Sequence, residues 1–235
     1  MKILVSWSSG KDSAWMLHLL RLEHGDAVAG LLTTMNEQFN RVAMHAVRRS
    51  LLDAQAEAAG LPLHVIGLPW PCTNEVYECR MRHAVSGFVQ DGFSHVAFGD
   101  LFLEDVRKYR ESRLSGTGLA PIFPLWRTKP TTELAREMIA GGLHATLTSV
   151  DPRKLDRSFA GRDFDEGLLG DLPAHVDACG ENGEFHSFAW DGPMFTRKIP
   201  VDVGEVVERG GFVFADLEQR TVPEARDVPD RGSEA

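Results

Sequence analysis

Over residues 3–123 short apolar runs alternate with longer stretches of helical periodicity, and no other feature of the chain limits its fold as much. Residues 3–7, Ile-Leu-Val-Ser-Trp, are strand formers that stop at Ser8-Ser9-Gly10, after which Ala14, Met16, Leu17 and Leu20 recur at helical spacing. The same rhythm predicts strands over 27–32, 63–68, 95–98 and 119–123. It predicts helices over 42–59, where Gly60 supplies the stop, and over 76–90 and 104–113. Strands separated by helices of ten or more residues form βαβ units, whose strands lie parallel in a sheet covered on both faces. The expected fold class is α/β. Ligands of such sheets sit beyond the carboxyl ends of the strands, which puts the candidate functional residues in the turns at 8–13, 33–36, 69–73 and 99–105.

After Pro124 the rhythm breaks. A helix is predicted over 131–140, an apolar run over 145–150 leads into the charged stretch 151–166, and strand-like segments follow at 185–190, 198–203 and 212–215. These elements predict a smaller α+β domain over 125–222, following a ligand-binding domain over 1–124. Residues 223–235, with Pro223, Pro229 and many charges in no period, are expected to form a mobile tail. A net charge of −9 leaves no basic footprint for nucleic acid. Cys72, Cys79 and Cys179 are too few and too scattered for a disulfide framework or a four-ligand zinc site, and suit a reducing compartment. With neither a signal-peptide core nor an apolar run approaching the ~20 residues of a membrane span, the expected location is the cytoplasm. A homodimer is compatible with all of this.

The clearest chemistry lies in Ser8-Ser9-Gly10-Lys11-Asp12-Ser13, at the first strand-to-helix turn. Small residues there leave backbone N–H groups converging on one spot, to which a helix N-terminus adds roughly half a positive charge. That spot suits a phosphate. Lys11 brings a point charge, the hydroxyls of Ser8, Ser9 and Ser13 bring donors, and Asp12 can orient the ligand or hold magnesium. A Walker A loop needs a glycine where Val5 stands, so this is a different phosphate loop. The plain alternative is a serine-rich turn with an N-cap.

A second cluster lies at 181–186. Asn182-Gly183 is the strongest two-residue hairpin signal; it predicts Glu181 and Glu184 opposed across a ladder, with His186 on the same face. Opposed carboxylates repel, which points to a cation, an amine or a proton handled between them, the alternative being a solvated hairpin. Arg107 and Arg110 stand at i, i+3 on the charged helix, spaced to embrace a phosphate or a carboxylate. Glu104, Asp105 and Glu111 could equally pair with them on a solvated face. Trp126 reads more readily as interdomain core than as a ring stacked on a ligand, and His45, His64, His83 and His95 form no metal-spaced pair.

Residues 8–13 resemble the SGGKDS loop of the PP-loop ATP pyrophosphatases, with Ser9 in place of the first glycine. Further motifs follow in one order: Gly99-Asp100-Leu101, the segment 104–111, Pro124-Leu125-Trp126, Glu137-Met138-Ile139, the segment 180–186, and Asp191-Gly192-Pro193-Met194-Phe195. Together they are similar to the diphthine–ammonia ligase family. The resemblance implies an adenine-nucleotide α-hydrolase-like (Rossmann-like) sheet, with ATP and Mg2+ as cofactors. It implies activation of a carboxylate as an acyl adenylate, which ammonia converts to an amide. On this resemblance Ser8, Ser9, Gly10, Lys11, Asp12, Ser13, Gly99 and Asp100 hold ATP, and position alone adds Thr33 and Met35. Lys11, Asp12, Glu181, Glu184 and His186 carry catalysis, Arg107, Arg110, Glu181 and Glu184 bind the acceptor, and Asp12 is the metal ligand. Ser9, Asp100 and Asn182 depart from the family pattern, which leaves the acceptor open between a small-molecule and a protein-borne carboxylate. Hydrolysis of an adenine nucleotide, and ATP sensing without turnover, need the same phosphate loop and are the rival functions.

Overall fold

Ile3, Leu4 and Val5 are fully buried, so the strand they form needs hydrogen-bonding partners on both edges and cover on both faces. In the computed structural model, which describes residues 1–39, 41–42 and 47–220, this strand β1 (Ile3–Ser6) lies inside a six-stranded sheet. It pairs in parallel with β2 (Val28–Asn36) on one side and β5 (His95–Ala97) on the other. Outward of these, β4 (Leu63–Leu68) is parallel to β2 and β6 (Ala120–Ile122) parallel to β5, while β3 (Arg41–Val42) runs antiparallel to the end of β2. Helices α1 (Lys11–His24), α2 (Arg49–Ala59), α3 (Asn74–Gln90) and α4 (Glu104–Leu114) make the connections. Gly60 ends α2 at φ +62, where its N–H returns to the carbonyls of Ala56 and Glu57.

The remaining elements are α5 (Thr131–Ala140), β7 (His144–Val150), α6 (Glu166–Asp171), β8 (Phe185–Asp191), β9 (Val201–Arg209) and β10 (Phe212–Gln219). Their four strands form a separate antiparallel sheet in the order β8-β7-β10-β9. The α/β expectation of a parallel sheet joined to a smaller α+β part therefore holds. One apolar cluster runs from Ile3 through Leu134 and Phe188 to Leu217 and joins the two sheets. Among the described residues no helix is long and apolar enough to cross a membrane.

Three expectations change. The predicted helix over 42–59 begins at Arg49, because Val42 is in a strand, opposite Met35 of β2, and its N–H donates to the Val47 carbonyl. Apolar spacing alone cannot separate a strand residue from the first turn of a nearby helix. Second, β9 runs to Arg209, well past the predicted 203, because this edge strand is exposed along most of its length and carries no core-facing alternation. Third, no hairpin forms at Asn182-Gly183. Gly183 does adopt φ +79, but β8 begins after it and pairs with β7, Val150 opposite Phe185 and Ser149 opposite His186. The expected tail at 223–235 and His45 lie outside the described residues.

The two sheets meet at a buried amide. Gln55 of α2 is 0% exposed; its Oε1 accepts from Trp7 Nε1 at 2.9 Å, and its Nε2 donates to the carbonyls of Ser9 at 2.9 Å and Ala189 at 2.6 Å. Replacing Gln55 with leucine leaves an indole donor and two carbonyls short of partners, each worth about 1 kcal/mol or more. The expected loss is about 3 kcal/mol, read as a fall of roughly 6 to 12 °C in melting temperature.

Candidate active site

The site starts where β1 ends. Trp7 N–H still donates to the Leu32 carbonyl at 2.7 Å, and the chain then turns through Ser8, Ser9 and Gly10 into α1. Ser9 adopts φ +70, a conformation that favours glycine, and is held in it by Ala189 N–H and Gln55 Nε2, both donating to its carbonyl. Gly10 is the N-cap of α1 and offers no side chain to cap it, so no cap side chain competes with an anion for the first-turn donors. Around this turn Ser8 Oγ and Ser13 Oγ are 3.1 Å apart, and Gly10 N–H donates to Ser8 Oγ at 3.3 Å. Gly99, after β5, comes so close that a Cβ there would lie 3.4 Å from the Asp12 carbonyl carbon. The turns after β1 and β5 are thus brought together as the sheet topology requires.

Lys11 is the centre of the site and is only 2% exposed. Its Nζ donates to both Asp12 oxygens, at 2.8 and 3.0 Å, and to the Cys179 carbonyl, and it lies 5.4 Å from the Phe185 ring centroid. Burial pulls the Lys11 pKa down, but the Asp12 carboxylate beside it, with Glu181 adding, outweighs this and holds it above the ordinary lysine value. Lys11 N–H donates to Ser187 Oγ on β8 at 3.2 Å. The loop at 8–13 is therefore closed on one side by β8 and by the segment before it.

That segment, 177–184, is folded around its own carboxylates. Asp177 Oδ2 accepts the N–H groups of Cys179 at 3.1 Å and Glu181 at 3.0 Å, and Asp177 Oδ1 accepts the Thr131 hydroxyl at the start of α5. Glu184 Oε1 accepts Asp177 N–H and Asn182 Nδ2, both at 3.1 Å. Glu181 Oε1 reaches back to the first sheet and accepts Leu101 N–H at 2.8 Å. Burial pushes Glu181 up to about 7, and the nearby Asp12 and Asp100 carboxylates reinforce it against the Leu101 N–H and Lys11. Burial, with the charge of Lys11 adding, lowers His186 to about 4, so its imidazole is neutral at physiological pH. A carboxyl poised near neutrality, a neutral imidazole and a buried ammonium form a set suited to proton transfer beside a phosphate.

The structure brings the predicted residues 8–13, Gly99, Glu181, Glu184 and His186 to this one region. Asp100 stands at its rim, paired with Arg110 at 2.8 Å. Thr33 and Met35 lie on β2 beside β1 with their side chains buried. Arg107 and Arg110 do not converge: Arg107 pairs with Glu111 and lies over Phe123 and Trp126, while Arg110 lies over Phe98. Among the described residues no three His, Cys, Asp or Glu side chains cluster as metal ligands.

Asp177, Thr131, Ser187 and Gln55 organise the site and are not singled out by the sequence. Only Gln55 has a local signal, a long amide on the apolar face of α2 between Leu51, Leu52 and Ala59. The others act through contacts across 46 to 176 positions, which leave no short-range pattern.

Comparison with known proteins gives two family matches in order: the description "Diphthamide synthase N-terminal domain" over residues 1–119 and "Diphthamide synthase C-terminal domain" over 130–220. Among curated relatives, a zebrafish (Danio rerio) diphthine–ammonia ligase is 29% identical over 92% of this chain and 92% of its own length. A human diphthine–ammonia ligase is 28% identical over 92% of this chain and 89% of its own. One from Schizosaccharomyces pombe is 25% identical over 88% of this chain but only 37% of its own length.

Proposed function

The chain belongs to the diphthamide synthase family, and from that premise we propose that it is an ATP-dependent ligase joining ammonia to a carboxylate of the diphthine type. The observation that carries the reading is Lys11, a buried ammonium at the uncapped start of α1, with the near-neutral Glu181 coupled to it. ATP lies along the carboxyl edge of the first sheet with its phosphates on residues 8–13. Asp12 is the loop carboxylate that would hold Mg2+ brought in with the nucleotide, and the ion would supply shielding of phosphate charge.

In the first half-reaction the acceptor carboxylate attacks the α-phosphorus and pyrophosphate departs. The approach of two anions is made feasible by Lys11 and the α1 N-terminus, whose positive charge faces the phosphoryl oxygens as they gain electron density. In the second half-reaction ammonia attacks the acyl carbon and AMP leaves with the C–O electron pair. Glu181 takes the proton that the new nitrogen sheds, and the neutral His186 accepts or donates a hydrogen bond to the acceptor. The test is product analysis. AMP and pyrophosphate should appear together only when a carboxylate acceptor and ammonium are both supplied. Acceptor-independent turnover would mark a hydrolase, and tight ATP binding with no product a sensor.

A further inference from the structure

Four buried side-chain polar atoms among the described residues have no hydrogen-bond partner: Trp15 Nε1, His64 Nε2, Thr148 Oγ1 and Glu184 Oε2. The first three belong to groups that can be uncharged, and each costs about 1 to 3 kcal/mol when left unpaired. Glu184 is a carboxylate, 3% exposed, and an ionised oxygen in such a place is far more costly without a donor. A proton on Oε2 would lower this cost but would leave a buried O–H donor without an acceptor in its turn. Its fellow oxygen accepts from Asp177 N–H and Asn182 Nδ2, which hold the side chain in this orientation.

The surroundings select the sign and size of what is missing. Segment 177–184 carries Asp177, Glu181 and Glu184 and not one lysine, arginine or histidine. Lys11 and Lys154 donate hydrogen bonds within it to backbone carbonyls, those of Cys179 and Asn182, and not to its carboxylates. The local charge calls for a small cation that donates hydrogen bonds, and the burial of Cys179 and Glu184 excludes a bulky amine.

We infer that Glu184 Oε2 is the seat of the ammonium ion, which the site binds as a cation before it is used as a nucleophile. The inference rests on the ligase reading given above and assigns its nitrogen substrate a place. Ammonium has no free electron pair. It must first give one proton to Oε2; the freed pair then forms the C–N bond, the acyl C–O bond breaks toward AMP, and a second proton passes to Glu181. Seating the cation beside a carboxylate thus both concentrates it and accepts the proton that makes it reactive.

The test uses the full chain and needs no turnover. Melting is followed in ammonium, potassium and sodium chloride at equal ionic strength. Ammonium at ten times its dissociation constant should raise the melting temperature by about 3 °C over sodium, potassium should not, and Glu184→Gln should abolish the rise. Gln keeps the Oε1 acceptor for Asp177 and replaces the accepting Oε2 with a donor. Should that variant fail to fold, the ammonium-against-potassium contrast and the 15N signal of bound ammonium in the unmutated protein decide the matter. An equal response to potassium, or none to ammonium, overturns the inference, the second outcome meaning that water fills the place. In turnover, Glu184→Gln should raise the KM for ammonium at least tenfold and that for ATP less than twofold; equal rises in both would overturn it too. Absence of AMP with every carboxylate tried would instead defeat the ligase reading and leave the melting result to stand alone.

Discussion

Lys11→Met is expected to lower formation of AMP and pyrophosphate by roughly a thousandfold. Methionine keeps most of the buried stem but leaves the Asp12 carboxylate and the Cys179 carbonyl without their donor, so the rate is read beside stability to separate the phosphoryl transition state from the lost pairing. Neither Arg107 nor Arg110 can substitute, since they are held over Phe123, Trp126 and Phe98 and paired with Glu111 and Asp100. Lys11→Arg is not expected to rescue activity, because a planar guanidinium cannot fill a slot shaped for an ammonium and 2% exposed. The measurement is the single-turnover rate at saturating ATP, set beside a melting curve for each variant. A Lys11→Met protein with the parental rate and an intact fold would remove the phosphate loop from the mechanism.

Glu181→Gln is the second large effect, about a hundredfold on amide formation, and its signature is the pH profile. The carboxylate accepts a proton only when ionised, so the parental rate should climb as pH rises through about 7, the value to which burial pushes this group. The Gln variant should be slow and flat across that range. Because Gln Oε1 still accepts the Leu101 N–H, the contact between the halves survives and the comparison isolates the proton. Stability moves the opposite way. A carboxyl whose folded pKa lies above its ordinary 4.5 favours the folded state at low pH, and this contribution is lost as pH rises from 4.5 through about 7. Denaturant titrations of the variant should lack that part of the slope. A parental-type rise in rate with pH in the Gln protein would assign the titration to another group.

The elements that sequence describes well are those whose cause is local. β4 and α5 fall on the predicted residues, 63–68 and 131–140, because each is a run of one period bounded by turn residues. The strand-to-helix turn at 8–13 is equally local, since six successive residues carry both its backbone form and its charge. What is misread has distant causes. β2 continues through Thr33 and Thr34 to Asn36, past the predicted end at 32, because β4 pairs with it there, so polar side chains are drawn into the sheet by a neighbour rather than by their own pattern. Asn182-Gly183 signals one left-handed residue, and that residue is present, but the dipeptide carries no information on which strand lies next to β8. Asp177 matters through Thr131, 46 positions earlier, a contact that only the finished fold creates.

The ammonium of Lys11 is satisfied by Asp12, its sequence neighbour, and by the carbonyl of Cys179. Its backbone N–H is satisfied by Ser187. Neither half of the polypeptide therefore owns the reaction centre. A fragment ending near residue 120 would carry the lysine without its carbonyl and hydroxyl, and one starting near 130 would carry those acceptors with nothing to grip. Swaps that exchange only one half between homologues would have to preserve this seam.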